Sequence, residues 1–301
     1  MSMELQTLLK NKAVNGWRLF WLISIPMSIV MVIAMTGVDI STEAGISAMI
    51  GFSVRWAVPF IYLVVAISSL QILFPGPVPA WLLRNRKYIG MCFAVAMAWQ
   101  GAFIFTMSMF FRDYYYEDIY FLRDELEGSV GYIFLVAMVV TSFQFARKHL
   151  TSKQWKLIHK SGLYFLWAYP FSVYWWNLYY YENPQPIDHV YYWIGFLAFA
   201  LRIAAWRKQR VQRARKEMPD YSVPLVPRIL GGAIVAFGLL VAATGLRWRV
   251  PVSEFLTAPE WSVELELWLP YWPFEPFLSL FIVGFGAMLL SMGPKQPTAS
   301  E

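Results

Sequence analysis

Apolar windows of roughly 17 to 25 residues recur along this chain, and the short segments between them alternate in the sign of their charge. A bilayer's hydrocarbon core is about 30 Å thick and a helix rises about 1.5 Å per residue, so each window is long enough to cross it. Eight such windows stand at about residues 17–37, 51–74, 87–111, 129–146, 157–180, 190–206, 229–246 and 272–292. Lipid offers backbone groups no partner, so windows of this kind fold as helices. The expected fold class is therefore all-α, a polytopic integral membrane helix bundle of about eight transmembrane helices.

Composition supports that reading: 58% of the 301 residues are hydrophobic and 18% aromatic, above the apolar share of soluble domains. The formal charge of +6 is dispersed in short basic segments between windows, which is how orientation signals are placed and not how a nucleic-acid surface is built. With both termini cytoplasmic, 20 of the 25 Lys and Arg fall inside, leaving Arg55, Arg112, Arg123, Arg247 and Arg249 outside, while 15 of the 19 Asp and Glu fall outside. The opposite orientation violates the positive-inside rule throughout. A multi-pass protein of the inner (plasma) membrane is expected. Glu4, Lys10 and Lys12 precede a first window too long for a signal-peptide core, so the first span is expected to be uncleaved.

Cys92 is the single cysteine and lies in a window, which excludes disulfides, cysteine zinc sites and covalent haem attachment. Segment 207–228 is basic and long enough for a short amphipathic helix on the cytoplasmic surface. Windows seven and eight carry Gly231, Gly232, Gly238, Ala242, Gly245, Gly284 and Gly286, small residues that let two helices approach closely, and they are expected to pair as a hairpin. Between them, 261–267 alternates with period two and reads as extended. Gln71, Gln144, Asn177 and Arg202 read as inter-helix polar contacts, and His149 and His189 as solvated interface residues. Tyrosines and tryptophans crowd the outer boundary as an aromatic belt, with a quinone or lipid headgroup pocket as the sharper alternative.

The stretch 141–181 carries the most specific wording. Thr141-Ser142 and the basic residues Arg147, Lys148, Lys153 and Lys156 lead through Leu150-Thr151, Trp155 and Ile158-His159 to Tyr164; earlier, Arg86, Lys87, Ile89-Gly90, Met91 and Phe93 open window three. This pattern resembles the ferric reductase-like transmembrane family, which includes the haem-binding membrane subunits of bacterial methionine sulfoxide reductase systems. The resemblance covers about residues 51–206. It implies a six-helix bundle over 1–206, to which a basic cytoplasmic segment (207–228) and a two-helix membrane hairpin (229–301) are added.

In that family, haem b is held by histidine pairs on the third and fifth spans, one imidazole on each face of the iron. Counting along window three to the family histidine lands on Gln100, and thirteen or fourteen residues after His159 stand Ser172 and Val173. The resemblance thus implies an outer haem site without ligands. It also implies an inner site that keeps His159 as a possible haem ligand opposite Arg86 and Lys87, cations useless to iron. The expectation is a haem-depleted scaffold or partner subunit for another membrane or redox protein, with no cofactor and no catalytic residue. One alternative is a single-haem b electron-transfer subunit using His159. The other is a small-molecule transporter or a lipid- or quinone-binding membrane protein. No flavin or nicotinamide fingerprint is present, and nucleic acid is not an expected partner.

Overall fold

The computed structural model describes residues 3–179, 183–256 and 276–293, and every element among them is helical, with no strand. The principal helices are α1 (Met3–Lys10), α2 (Trp17–Thr36), α3 (Glu43–Leu73), α4 (Pro77–Phe110), α5 (Leu122–Val140), α6 (Ser152–Tyr179), α7 (Pro186–Glu217), α8 (Leu225–Leu256) and α9 (Leu278–Leu289). Four segments combine the length and apolarity needed to cross a membrane: α2, α3, α4 and Leu225–Gly245 of α8; α9 is apolar but shorter. Helices α5, α6 and α7 occupy windows four to six but carry charged ends, Asp124 and Glu125 on α5 and the run Arg207–Lys216 on α7 among them. The expected extended segment 261–267 lies outside the described residues.

Several helices outrun the apolar windows, for local reasons. Helix α3 begins eight residues early because the Thr42 hydroxyl accepts from Gly45 N at 3.2 Å and caps it, with Glu43 in the first turn. Helix α4 begins at Pro77, a residue preorganised for a first helical turn. Helix α7 does not stop at residue 206. It continues unbroken to Glu217, so the basic segment extends this helix and does not form a separate one. Arg, Lys, Gln and Ala are good helix formers, and the first proline beyond them is Pro219.

Contacts divide the chain into two units, Met1–Pro170 and Phe171–Glu301. In the first, α3 and α4 form the central pair, with Ile46 and Met49 of α3 buried against Phe103 and Met107 of α4. Helix α2 joins α4 through two polar contacts, Ser24 Oγ to Cys92 Sγ at 3.6 Å and Trp99 Nε1 to Ser28 Oγ at 3.1 Å. The turn from α1 into α2 is clamped onto α4. Asn85, 1% exposed, accepts from Gly16 N and donates to Asn15 Oδ1, both at 2.9 Å. Beside it Arg84 donates to Leu9 O at 2.8 Å and Trp81 to Val14 O at 2.9 Å. Gly16 turns the chain at φ 66°, where a side chain would be strained.

In the second unit α8 and α9 meet backbone to backbone. A Cβ at Gly231 would lie 2.8 Å from Gly286 O, one at Gly286 2.7 Å from Gly231 O, and one at Gly238 2.8 Å from Val283. The segment 257–275 that joins these two helices lies outside the described residues, while their expected close packing is present. Only three of the glycines make it, since Gly232 and Gly245 face open space and Gly284 faces Ile203 of α7. A polar knot closes the other end: Tyr179 and Tyr192 both donate to Ala242 O, at 2.7 and 3.0 Å. Asn177 donates to Asp188 at 3.0 Å, the inter-helix role expected of it.

Candidate functional site

Helices α3, α4, α5 and α6 do not close on one another along their whole length in the first unit. They enclose a cavity of about 610 Å³, within the range that holds a lipid-sized or drug-sized ligand. Its wall is largely apolar: Val54, Ala57, Val58 and Ile61 from α3, Phe93, Met97 and Ile104 from α4, Ile133 from α5, Phe165 and Leu166 from α6. The rim combines Tyr115, Tyr120 and Phe121 with Asp124, Glu125 and Glu127, all in the stretch that reads from sequence as an outer loop.

Local chemistry shapes that rim. The segment Tyr115–Ile119 is a single π-helical turn, a form that recurs at functional sites. It seats Tyr115 over the packed group of Ile46, Met49, Phe103 and Met107. Tyr115 then donates to Glu125 Oε2 at 2.6 Å. Burial, with the Glu125 carboxylate beside it, pushes the Tyr115 hydroxyl well above the ordinary tyrosine range, so it stays protonated and donating. That bond ties the π turn to the first turn of α5.

Below the rim the polar side chains of the lining are Gln100, Ser129, Tyr132 and Tyr169, and Gln100 and Tyr132 meet each other. Tyr132 of α5 lies with its hydroxyl 3.1 Å from both Met97 O and Gln100 Oε1 of α4. Both Tyr132 and Gln100 line the cavity. The phenol has one proton for these two oxygens, whereas the Gln100 amide has two N–H groups and makes no other hydrogen bond among the described residues. Gly101 leaves room for Tyr132, whose ring edge and hydroxyl would stand 3.3 Å from a Cβ there.

His159 sits elsewhere and is occupied. Its Nε2 is 3.0 Å from Thr141 Oγ1, and Thr141 Oγ1 also lies 2.6 Å from Ala137 O. A hydroxyl has a single proton, which the short bond to the helix carbonyl takes, so the imidazole donates and Nε2 carries hydrogen. Trp155 lies over the ring at 4.2 Å between centroids and donates to Thr141 O at 3.1 Å. Arg147 in turn covers Trp155 at 5.3 Å. Arg86 donates to Ser68 Oγ at 3.2 Å and Lys87 to Ser142 O at 2.7 Å. A protonated nitrogen cannot ligate a metal, so iron binding at Nε2 would first have to break the Thr141 contact.

Gln100 and His159 are therefore not brought together: the first lines the cavity and the second does not. Among the described residues no group of three or more His, Cys, Asp or Glu stands close enough to hold a metal ion. Tyr132 was not singled out in the sequence, where it reads as one more aromatic in a span. Asn85 was missed because it lies in a stretch whose charges read as an orientation signal. No protein-family model matches the chain, and no characterised protein or solved structure does either.

Proposed function

We propose that this protein is a haem-free membrane bundle that holds a lipophilic small molecule, a lipid or an isoprenoid quinone in class, within the unit Met1–Pro170. The cavity between α3, α4, α5 and α6 carries the proposal: about 610 Å³ lined by aliphatic and aromatic side chains, with one amide and phenol pair in its wall. Such a volume has no purpose in packing, since voids cost stability roughly in proportion to their size. The engagement of His159 Nε2 by Thr141 supports the haem-free part of the reading. The proposal includes an eight-span arrangement with both termini cytoplasmic, in which the cavity rim faces outward; the division of Lys and Arg supports it. Reporter fusions after Ser41, Phe121, Asn183 and Glu260 should all lie outside, and two or more inside would refute that topology.

Gly128 supplies the test of the ligand. It lines the cavity, and a Cβ there meets nothing within 4 Å, so Gly128→Phe places a ring at the mouth without disturbing the helix contacts. Protein purified in mild detergent and extracted with organic solvent should release a lipophile in near-stoichiometric amount, and Gly128→Phe should release far less. Equal amounts from both, or none from either, defeat the reading. A reducible visible spectrum lost in His159→Ala would replace it with a single haem b.

A further inference from the structure

Building on the cavity reading above, we infer that its ligand bears a carbonyl oxygen and that Gln100 is the residue that recognises it. The observation is an imbalance of donors. Gln100 lies in a wall made largely of groups such as Val58, Met97, Ile104 and Phe165, and among the described residues its one hydrogen bond is to Tyr132. In either assignment of the amide's oxygen and nitrogen, at least one N–H of Gln100 keeps no partner among the described residues. A donor in an apolar wall is costly unless something accepts from it. An alkyl chain cannot do so, whereas an acyl ester or a quinone carbonyl can.

Geometry supports the assignment as well as the counting. Tyr132 grips Gln100 and Met97 O together, each at 3.1 Å, so the amide is held against α4 at a fixed height instead of sweeping the cavity. Tyr132 is thus a positioning residue, and Gln100 the specificity-determining one. The same carbonyl chemistry reaches a membrane cavity from two sources, the ester of an acyl lipid or the ring of a quinone, and the experiment separates them.

The full-length protein in detergent is titrated with three probes, methyl palmitate, decylbenzoquinone and heptadecane, and occupancy is read by native mass spectrometry. At least one carbonyl probe should bind about tenfold more tightly than the hydrocarbon, the worth of one hydrogen bond to an otherwise unpartnered donor. The tighter of the two names the source. Gln100→Leu should abolish that preference, bringing the carbonyl probes and the hydrocarbon to within about twofold of one another. Gln100→Met, which conserves length, serves if the leucine variant does not fold. Tyr132→Phe should reduce the preference to a few-fold, because the amide remains but its anchor is gone. Equal binding of all three probes to the wild type, or a preference that survives Gln100→Leu, overturns the inference and leaves the cavity reading standing. No binding of any probe to the wild type overturns both.

Discussion

The two units close their helices in opposite ways. In Phe171–Glu301, α8 and α9 approach until the backbone of Gly231 touches that of Gly286. In Met1–Pro170, α3 and α4 pack directly on each other, but a cavity of about 610 Å³ stays open between that pair and α5 and α6. Lipid supplies no hydrophobic drive between helices, so association rests on packing and polar contacts. Glycine contact gives the first kind of interface and leaves nothing for a ligand. An interface hung on Tyr132, Gln100 and the Tyr115–Glu125 bond gives the second and leaves room for one.

Substitution at the glycine contact is the most severe way to break this contrast. Gly231→Leu would drive a side chain into the Gly286 carbonyl, where backbone cannot yield, and should cost about 3 kcal/mol or more. Gly232→Leu, one position along and facing open space, should stay within about 0.5 kcal/mol of the wild type. Thermal midpoints of the two purified variants check the pair, and similar values would show that the close approach carries no energy.

The first unit is not loosely packed everywhere, and its N-terminal clamp should behave like a tight interface. Asn85→Leu deprives Gly16 N of its partner and leaves Asn15 Oδ1 with Arg84 Nε alone, at a cost of about 1 to 3 kcal/mol. Limited proteolysis should then cut near Asn15 well before the wild type is cut. Unchanged cleavage would mean that Arg84 and Trp81 hold the turn without it.

Helix positions were legible because lipid leaves the backbone one solution: each window overlaps a helix among the described residues, and four of those helices are long and apolar enough to cross a membrane. Ends were less so: Thr42 and Pro77 start helices in residues that hydropathy assigns to loops, and α7 runs on through Arg207–Lys216 because nothing there breaks a helix. The glycine pattern foretold that α8 and α9 pair, but spacing could not tell Gly231, which touches, from Gly232, which does not. The cavity was not legible at all. It exists because α3 to α6 fail to fill a space, and a space has no sequence. Gln100 stood out only by its position in a resembling pattern, and its partner Tyr132 could be found only once α4 and α5 were side by side.

A smaller effect tests the occupied histidine against the open amide. If Thr141 accepts from His159 Nε2, Thr141→Val and His159→Phe should couple by about 1 kcal/mol in a double-mutant cycle on thermal stability. Gln100→Leu and His159→Phe lie in separate contacts and should be additive. Coupling in the second pair, or its absence in the first, would erase the distinction between a structural and a ligand-facing polar group.

The smallest expected effect distinguishes two glutamines of the same unit. Gln71, on α3, has its Oε1 buried with no hydrogen-bond partner among the described residues, whereas the Gln100 amide lies in the wall of a cavity. An acceptor orphaned inside packing contributes a desolvation cost and nothing in return. Gln71→Met keeps the length and removes the cost, so stability should be unchanged or higher by up to about 1 kcal/mol, with no change in ligand content. Gln100→Met should show the reverse: near-neutral stability of the empty protein and a loss of carbonyl-dependent binding. If Gln71→Met is clearly destabilising, that amide has a partner in the folded protein, and the contrast between an orphan inside packing and an amide open to a cavity loses one of its two sides.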